Sequence, residues 1–134
     1  MEQIVEQWEE FPIGPKDVSS ELHVTMSRKG EILIGAHAFE RFGKPEAALL
    51  LFDKMNSRIG LMPSHRRVAN AYPMTVKSER YRHRVIRAYR FCRHHGIKVD
   101  RTIAFSEVSI NEEGILILNL KTTAAIGKPP KPNK

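Results

Sequence analysis

The chain of 134 residues is 41% hydrophobic and 28% charged, a balance typical of one globular domain with a core of its own. No apolar run reaches the roughly 20 residues that cross a bilayer, and the single cysteine, Cys92, excludes an internal disulfide. The acidic start, MEQIVEQWEE, lacks the basic and then apolar pattern of a secretory signal. We therefore expect a cytoplasmic protein without membrane contact.

The charge is unevenly distributed along the chain. In total, 22 basic residues stand against 15 acidic ones, a formal net charge of +7. Residues 1–22 contain six acids and one base, a net of −5, whereas residues 64–101 contain eleven bases and two acids, a net of +9. This asymmetry indicates a polyanionic partner, for whose surface the acidic segment 1–20 could compete. A basic face that only keeps the protein soluble would have the same composition.

In the first half, the apolar spacing over residues 2–11 predicts a short amphipathic helix that ends before Pro12. The alternation in ELHVTMS and the returning segment EILIG, joined at Gly30, predict a β-hairpin over residues 21–35. AHAFERFG then predicts a short helix that ends at Gly43. Two further strands, AALLLFDK and RIGLMP, are predicted around the turn MNS.

The second half begins with a loop, SHRRVANAYP, and a short strand, MTVKS. Residues 79–95 place apolar and basic residues on opposite faces at about 100° per residue, which predicts a basic helix ended by Gly96. The strands TIAFSEVSI and GILILNL follow, joined by NEEG. The tail 127–134 is expected to be a disordered basic segment.

The two halves share an order of helix, strand and strand. In each, a segment with Ala-x-x-Phe and a helix-ending glycine leads into an apolar strand and a closing hairpin. This similarity predicts two pseudo-repeated β/α units, at about 21–63 and 72–120, within one domain over residues 21–126. The expected fold class is α+β: a small mixed β-sheet or barrel-like domain with one longer basic helix. We expect this protein to form a homodimer.

The predicted basic helix carries its charge as a stripe about four turns long. The residues on its apolar face are Tyr81, Val85, Ala88, Tyr89 and Cys92. Arginine predominates on the opposite face, and its planar guanidinium suits bidentate contacts with phosphate. The predicted phosphate contacts are Arg80, Arg84, Arg87 and Arg90 on the helix, Arg66, Arg67 and Lys77 in the preceding loop, and Arg28 and Lys29 at the hairpin turn.

The histidines and acidic residues form no recognisable catalytic or metal motif. The chain has no His-x-x-x-His or Cys-x-x-Cys spacing, and Ser64-His65 lacks the Gly-x-Ser-x-Gly context of a nucleophilic serine. A glycine-rich phosphate loop is also missing from the sequence. We therefore expect no enzyme activity, no metal and no cofactor.

The segment VTMSRKGEILIGAHAFERFGKPEAALLLFDKMNSRIGLMP, residues 24–63, resembles the unit of the AbrB/MraZ-type (SpoVT-AbrB) swapped-hairpin transcription factors. Lys29-Gly30 matches the basic residue and glycine of the family's first turn, and Phe42-Gly43 stands where the family has its Leu-Gly helix end. Glu31 and Gly35 stand where the family usually has arginine and proline, so the family's DNA-contacting arginine is absent. The resemblance implies a DNA-binding regulator built from two fused units or a dimer.

Charge and resemblance together predict a nucleic-acid-binding regulator that contacts the phosphates of DNA, or of RNA, through the basic helix. The alternative is a protein-interaction module, for example an antitoxin-like assembly protein. Its basic helix would be covered by an acidic partner or by residues 1–11 of a neighbouring subunit. The sequence contains no pattern that indicates base-specific contacts.

Overall fold

The computed structural model describes residues 22–77 and 79–127. The predicted acidic segment 1–20, with its helix over residues 2–11, and positions 128–134 of the predicted tail lie outside the described residues. Neither helix of the described chain has the length and apolar character that crossing a membrane requires.

Eleven strands and two short helices make up the described chain. In chain order they are β1 (Val24–Met26), β2 (Glu31–Ile34), α1 (Ala36–Arg41), β3 (Ala47–Asp53), β4 (Arg58–Ser64), β5 (Tyr72–Pro73), β6 (Thr75–Val76), β7 (Arg84–Arg87), α2 (Tyr89–His95), β8 (Ile103–Phe105), β9 (Val108–Ile110), β10 (Leu116–Asn119) and β11 (Thr123–Ala125). The strands form a six-stranded sheet in the order β11-β8-β1-β2-β7-β6 and a five-stranded sheet in the order β5-β3-β4-β10-β9. Neighbouring strands are antiparallel in both sheets.

The predicted fold class, an α+β domain with one longer basic helix, is wrong. The described chain is mostly β-structure, and α1 and α2 have only six and seven residues. Residues 84–87, predicted as the middle of the long helix, instead form β7, which pairs with β2 on one side and β6 on the other. The molecule is a small β-rich domain with two short helices.

The helical pattern over residues 79–95 is misleading because β7 is buried on both faces. Val85 is 4% exposed and Ile86 is 0% exposed, although successive side chains of a strand point to opposite faces. Two adjacent apolar residues also fit a helical pattern, so only the pairing with β2 selects the strand. The helix α2 begins at Tyr89 and ends at His95, and Gly96 directly after it has a φ of +67°, the left-handed conformation typical of a glycine that caps a helix.

The predicted hairpin over residues 21–35 is confirmed as β1 and β2. Val24 lies opposite Ile34, and both side chains are fully buried. The turn depends on Gly30, which has a φ of +79° and donates its N–H to the carbonyl of Ser27 at 3.0 Å. The local sequence therefore determines this hairpin, as its alternating pattern indicates.

The predicted strands of the later segments are confirmed in part. AALLLFDK and RIGLMP form the long β3–β4 hairpin, and GILILNL contains β10. TIAFSEVSI is two strands rather than one, because β8 joins the six-stranded sheet and β9 the five-stranded sheet. The sequence does not predict β5 and β11, since YP and TAA have no apolar alternation and both strands lie at sheet edges.

The two sheets and both helices share one hydrophobic core. Its largest fully buried side chains are Met26, Ile32, Ile34, Ile59, Leu61, Ile86, Leu116, Leu118 and Val24. They come from both sheets, and α1 and α2 add the buried rings of Phe39 and Phe91. Each sheet thus buries its apolar face against the other layer. The pseudo-repeats at about 21–63 and 72–120, and the domain limits 21–126, stay predictions.

The turn between β3 and β4 is held by Asp53. Its carboxylate accepts hydrogen bonds from Asn56, through Nδ2 at 2.9 Å and the backbone N–H at 3.2 Å, and from the Arg58 guanidinium at 2.8 and 3.1 Å. The side chain of Asn56, followed by that of Arg58, lowers the pKa of Asp53 from 3.8 to about 2. Since the pKa is lowered in the folded state, the stabilisation is complete above about pH 4 and is lost as the pH falls through about 2.

Ile86→Ala tests the burial of β7. We expect it to lower the free energy of unfolding by about 2–5 kcal/mol, because it removes most of a fully buried side chain from the core. Urea unfolding measures the loss. Ile126→Ala, at an isoleucine that is 57% exposed, is the matched control and should change stability by no more than about 0.5 kcal/mol. Equal effects of the two substitutions would contradict the placement of β7.

Asp53→Asn tests the β3–β4 turn. The variant should melt at a lower temperature than the wild type at neutral pH, and the difference should shrink as the pH falls from about 4 to about 2. Thermal unfolding of both proteins across this range is the measurement. Glu112→Gln removes an exposed carboxylate from the β9–β10 turn and controls for the loss of one negative charge. A difference for Asp53→Asn that does not change with pH would show that the carboxylate charge is irrelevant.

Candidate functional site

The four arginines predicted on one face of a long helix do not share a helix face, because that helix does not form. Arg80 lies in the turn between β6 and β7, Arg84 and Arg87 lie on β7, and Arg90 lies on α2. The pairing of β7 with β2 holds residues 84–87 extended, so their side chains point to alternating faces. The continuous stripe expected from helix geometry therefore does not form.

Arg84 and Arg87 each have a polar partner in the fold. Arg84 donates from Nη1 to the carbonyl of Arg82 at 3.0 Å, and its Cζ lies 4.4 Å from the centre of the Phe39 ring. The Nε of Arg87 lies 3.7 Å from Oε2 of Glu31, which offsets its charge. Arg84 therefore covers α1 and Arg87 balances an acid on the neighbouring strand.

The β2–β7 pair separates the basic residues into two groups. Glu31 lies opposite Arg87 and Ile34 opposite Arg84, so the β1–β2 turn and α2 lie at one end of the pair, and the β6–β7 turn and α1 lie at the other. At about 3.3 Å per residue, the four-residue strands separate these ends by roughly 13 Å. Arg28, Lys29 and Arg90 belong to the first end, and Lys77 and Arg80 belong to the second.

Arg66 and Arg67 belong to neither end, since they lie on the exposed loop between β4 and β5. The backbone N–H of Arg66 donates to Oε2 of Glu46 at 3.2 Å. The Nδ1 of His65 lies 4.0 Å from the other oxygen of the same carboxylate. An acidic side chain thus lies within this group of cations.

An open cavity of about 470 Å³ lies at the first end. It is formed by the β1–β2 turn, the helix α2 and the segment that follows the helix. Its lining consists of Met26, Ser27, Arg28, Lys29, Gly30, Tyr89, Cys92, Arg93, Ile97, Lys98, Val99 and Asp100. This volume lies within the range of roughly 300–1,000 Å³ that is usual for small-ligand pockets.

Four cations line this cavity: Arg28, Lys29, Arg93 and Lys98. All four are exposed, and within residues 22–77 and 79–127 none of them forms an ion pair. The one acid in the lining, Asp100, lies 3.7 Å from the Nε of Arg101, outside the lining. The cavity is therefore a region of concentrated, unneutralised positive charge, which favours an anionic ligand.

The floor of the cavity is apolar. Met26 is 1% exposed and Cys92 is 5% exposed, and their sulfur atoms lie 3.9 Å apart. Burial raises the pKa of the Cys92 thiol, so this side chain is a neutral part of the floor at physiological pH. Tyr89 contributes the aromatic side chain of the lining and is 57% exposed.

The β1–β2 turn approaches α2 closely because Gly30 has no side chain. The Ala88 N–H donates to the carbonyl of Gly30 at 2.9 Å, and a Cβ at position 30 would lie 3.0 Å from the Cα of Tyr89. This contact holds Arg28 and Lys29 beside the helix that carries Arg93. The geometry of the cavity thus depends on one glycine.

His95 on α2 does not extend the positive charge of the cavity. The ring of His95 lies between Phe52 and Phe91, with centroids 4.7 and 4.8 Å away. Loss of solvent contact and the neighbouring His94 lower the pKa of His95, which keeps its imidazole neutral near pH 7. No cluster of three or more His, Cys, Asp or Glu side chains suited to a metal ion occurs in the part of the chain that the structure describes.

The sequence identified only part of this site. Arg28 and Lys29 were predicted because the turn signal exposes them, but Arg93 and Lys98 were not among the predicted contacts. The helical pattern places Tyr89 on the apolar face of the long helix, whereas in the structure it lines the cavity. These residues come from three segments, and the folded contact between Gly30 and α2 is what brings them together.

Gly30→Ala tests the close approach of the turn to α2. It introduces both a positive φ at alanine, at a cost of about 1–2 kcal/mol, and a clash with the backbone of Tyr89. Gly43→Ala is the matched control, because Gly43 has a φ of +95° and a Cβ there meets no atom within 4 Å. Urea unfolding should show a clearly larger loss of stability for Gly30→Ala. Equal losses would mean that the turn does not press against the helix.

Comparison with known proteins adds no family or relative to this geometry. No protein-family model matches the chain, and neither a curated protein nor a solved structure matches it. The resemblance of residues 24–63 to AbrB/MraZ-type units therefore stays an expectation from the sequence.

Proposed function

We propose that this protein is a nucleic-acid-binding regulator that contacts phosphate groups at the cation-lined cavity. The observation that carries the proposal is the convergence of Arg28, Lys29, Arg93 and Lys98 on one cavity without an ion-pair partner in the described chain. Cations held close together repel each other, and an anionic ligand converts this repulsion into binding free energy.

The charge of the whole folded part supports a polyanion as the ligand. The described residues include 18 lysines and arginines and nine aspartates and glutamates, so that 18 minus nine leaves a net charge of +9. A field of this sign attracts nucleic acid over distances comparable to the Debye length, roughly 8 Å at physiological ionic strength. It also makes association depend strongly on salt.

We expect the proposed phosphate contacts to contribute unequally to nucleic-acid binding. Arg28, Lys29, Arg93 and Lys98 form the main group, and Arg90 lies on the same helix as Arg93. Lys77 and Arg80, roughly 13 Å away at the other end of the β2–β7 pair, could contact a second stretch of the same backbone. Arg66 and Arg67 lie beside an acid, and Arg84 and Arg87 have partners within the fold, so we expect these four to contribute less to binding.

DNA and a regulatory role enter the proposal from the sequence alone. The β1–β2 hairpin, with Lys29 and Gly30 at its turn, resembles the first turn of AbrB/MraZ-type units, which bind DNA as dimers. Glu31 replaces the arginine that this family has after the glycine, and in this fold it offsets Arg87. The positive charge near the turn comes instead from Arg93 and Lys98.

Removal of two cavity cations tests the proposal. Arg93→Ala/Lys98→Ala should weaken binding to duplex DNA on the order of tenfold at low salt. If both cations contact phosphate, the slope of log K against log salt should become shallower by about 1.8, which is 0.9 for each lost contact. Fluorescence anisotropy with a labelled duplex at several salt concentrations gives both quantities.

The control is Arg41→Ala/Lys54→Ala, which removes the same net charge from exposed positions outside the cavity. It should leave the salt slope unchanged. Equal weakening by the two double variants would mean that only net charge matters and would contradict a defined site. Absence of binding to DNA and RNA at low salt would exclude the nucleic-acid function and favour the alternative of an acidic protein partner.

A further inference from the structure

We propose that the cavity beside the β1–β2 turn takes one unpaired nucleotide, with its base stacked on Tyr89, so that single-stranded nucleic acid gains a contact that duplex DNA cannot make. The inference rests on the proposed function, because it assigns a ligand class to the same site. It concerns the apolar and aromatic part of the cavity, which phosphate contacts alone leave unused.

The shape of the cavity is the first argument. Phosphates of a duplex lie on its outer surface and need only an exposed group of cations. Here the cations lie around a concave space of about 470 Å³, whose floor is formed by the buried side chains of Met26 and Cys92. A phosphate gains nothing from an apolar floor, whereas the flat face of a nucleobase is largely apolar and fits one.

Tyr89 supplies the second argument. It is the first residue of α2, it lines the cavity, and 57% of its surface is exposed. The contact of Gly30 with its backbone fixes the position of the residue on the helix. Exposed aromatic side chains next to cations are the usual platform for unpaired bases, and stacking is worth about 1–3 kcal/mol per base.

The arrangement of polar groups is the third argument. Arg28 and Lys29 lie on the turn, and Arg93 lies one helical turn beyond Tyr89 on α2. A nucleotide with its base on Tyr89 therefore has cations on two sides for its own phosphate and the next one. A nucleotide can stack its base on Tyr89 and place its phosphates against the cations at the same time only where the base is not stacked in a helix.

The lining of the cavity favours unpaired nucleotides without selecting one base. Tyr89 offers a π-face, and the neighbouring charged side chains are all cations except Asp100. Stacking accepts every base, so the site should distinguish unpaired from paired nucleotides far more than one base from another. Regulation at such a site would respond to strand opening or to single-stranded RNA.

The experiment compares three ligands with the full chain. They are an oligothymidylate of about ten nucleotides, within the roughly 4–16-nucleotide site size of single-strand binding domains, an abasic oligonucleotide of equal length, and a duplex of equal length. Oligothymidylate and the abasic ligand carry the same phosphates and differ in the bases alone. We expect the protein to bind oligothymidylate at least about fivefold more tightly than the abasic ligand.

Variants at Tyr89 assign the difference to the side chain. Tyr89→Leu should remove most of the preference for oligothymidylate over the abasic ligand, because leucine is apolar but has no aromatic face on which a base can stack. Tyr89→Phe keeps the aromatic face and should keep the preference. Tyr81→Leu is the comparison variant. Tyr81 has the same 57% exposure and lies 5.4 Å from the guanidinium carbon of Arg80, but it does not line the cavity, so this variant should keep the preference.

The possible outcomes separate this inference from the proposed function. Equal affinity of the wild type for oligothymidylate and the abasic ligand overturns the inference while leaving phosphate binding in place. The same holds if Tyr89→Leu retains the preference. Failure of all three ligands to bind at low salt overturns the proposed function and this inference together. The wild-type comparison needs no variant, so it decides the question even if Tyr89→Leu is unstable.

Discussion

The antiparallel pairing of β2 with β7 is the constraint on which the rest of the structure depends. Ile32 lies opposite Ile86 and Leu33 opposite Val85, and this register joins segments that are more than fifty residues apart in the chain. Because α1 directly follows β2 and α2 directly follows β7, the pairing also sets the two helices at opposite ends of the strand pair. The β1–β2 turn meets α2 for this reason, and the cavity lies where they meet.

The parts of the fold that the sequence could predict are those with local causes. The β1–β2 hairpin follows from alternation and from Gly30, and the helix ends follow from Gly43 and Gly96, which have positive φ in the structure. The strand β7 has no local cause of this kind. Val85 and Ile86 fit an amphipathic helix as well as a strand with two buried faces. The hydrogen-bonded pairing with β2 selects the strand.

The residues of the candidate site could likewise be predicted only where their positions have a local cause. A basic turn is exposed wherever the hairpin folds, so Arg28 and Lys29 could be found from the sequence alone. Arg93, Lys98 and Tyr89 become part of one cavity only when α2 starts at Tyr89. A helix beginning near residue 79 would have used Tyr89 as a core residue. The error in the secondary structure thus became an error in the function of particular side chains, although the sign of the charge was unaffected.

The two ends of the β2–β7 pair carry basic residues but use them differently. At the α1 end, Arg84 lies over the ring of Phe39 and donates to the carbonyl of Arg82, so its guanidinium serves the packing of the helix. At the α2 end, Gly30 contributes no side chain, and the space beside α2 stays open to solvent and to the surrounding cations. An arginine therefore stabilises the fold at the α1 end, whereas the positive charge at the α2 end stays available for a ligand. A nucleic acid that crosses both ends would be held by charge at each, and at the α2 end the cavity adds a concave space with Tyr89 in its lining for a base.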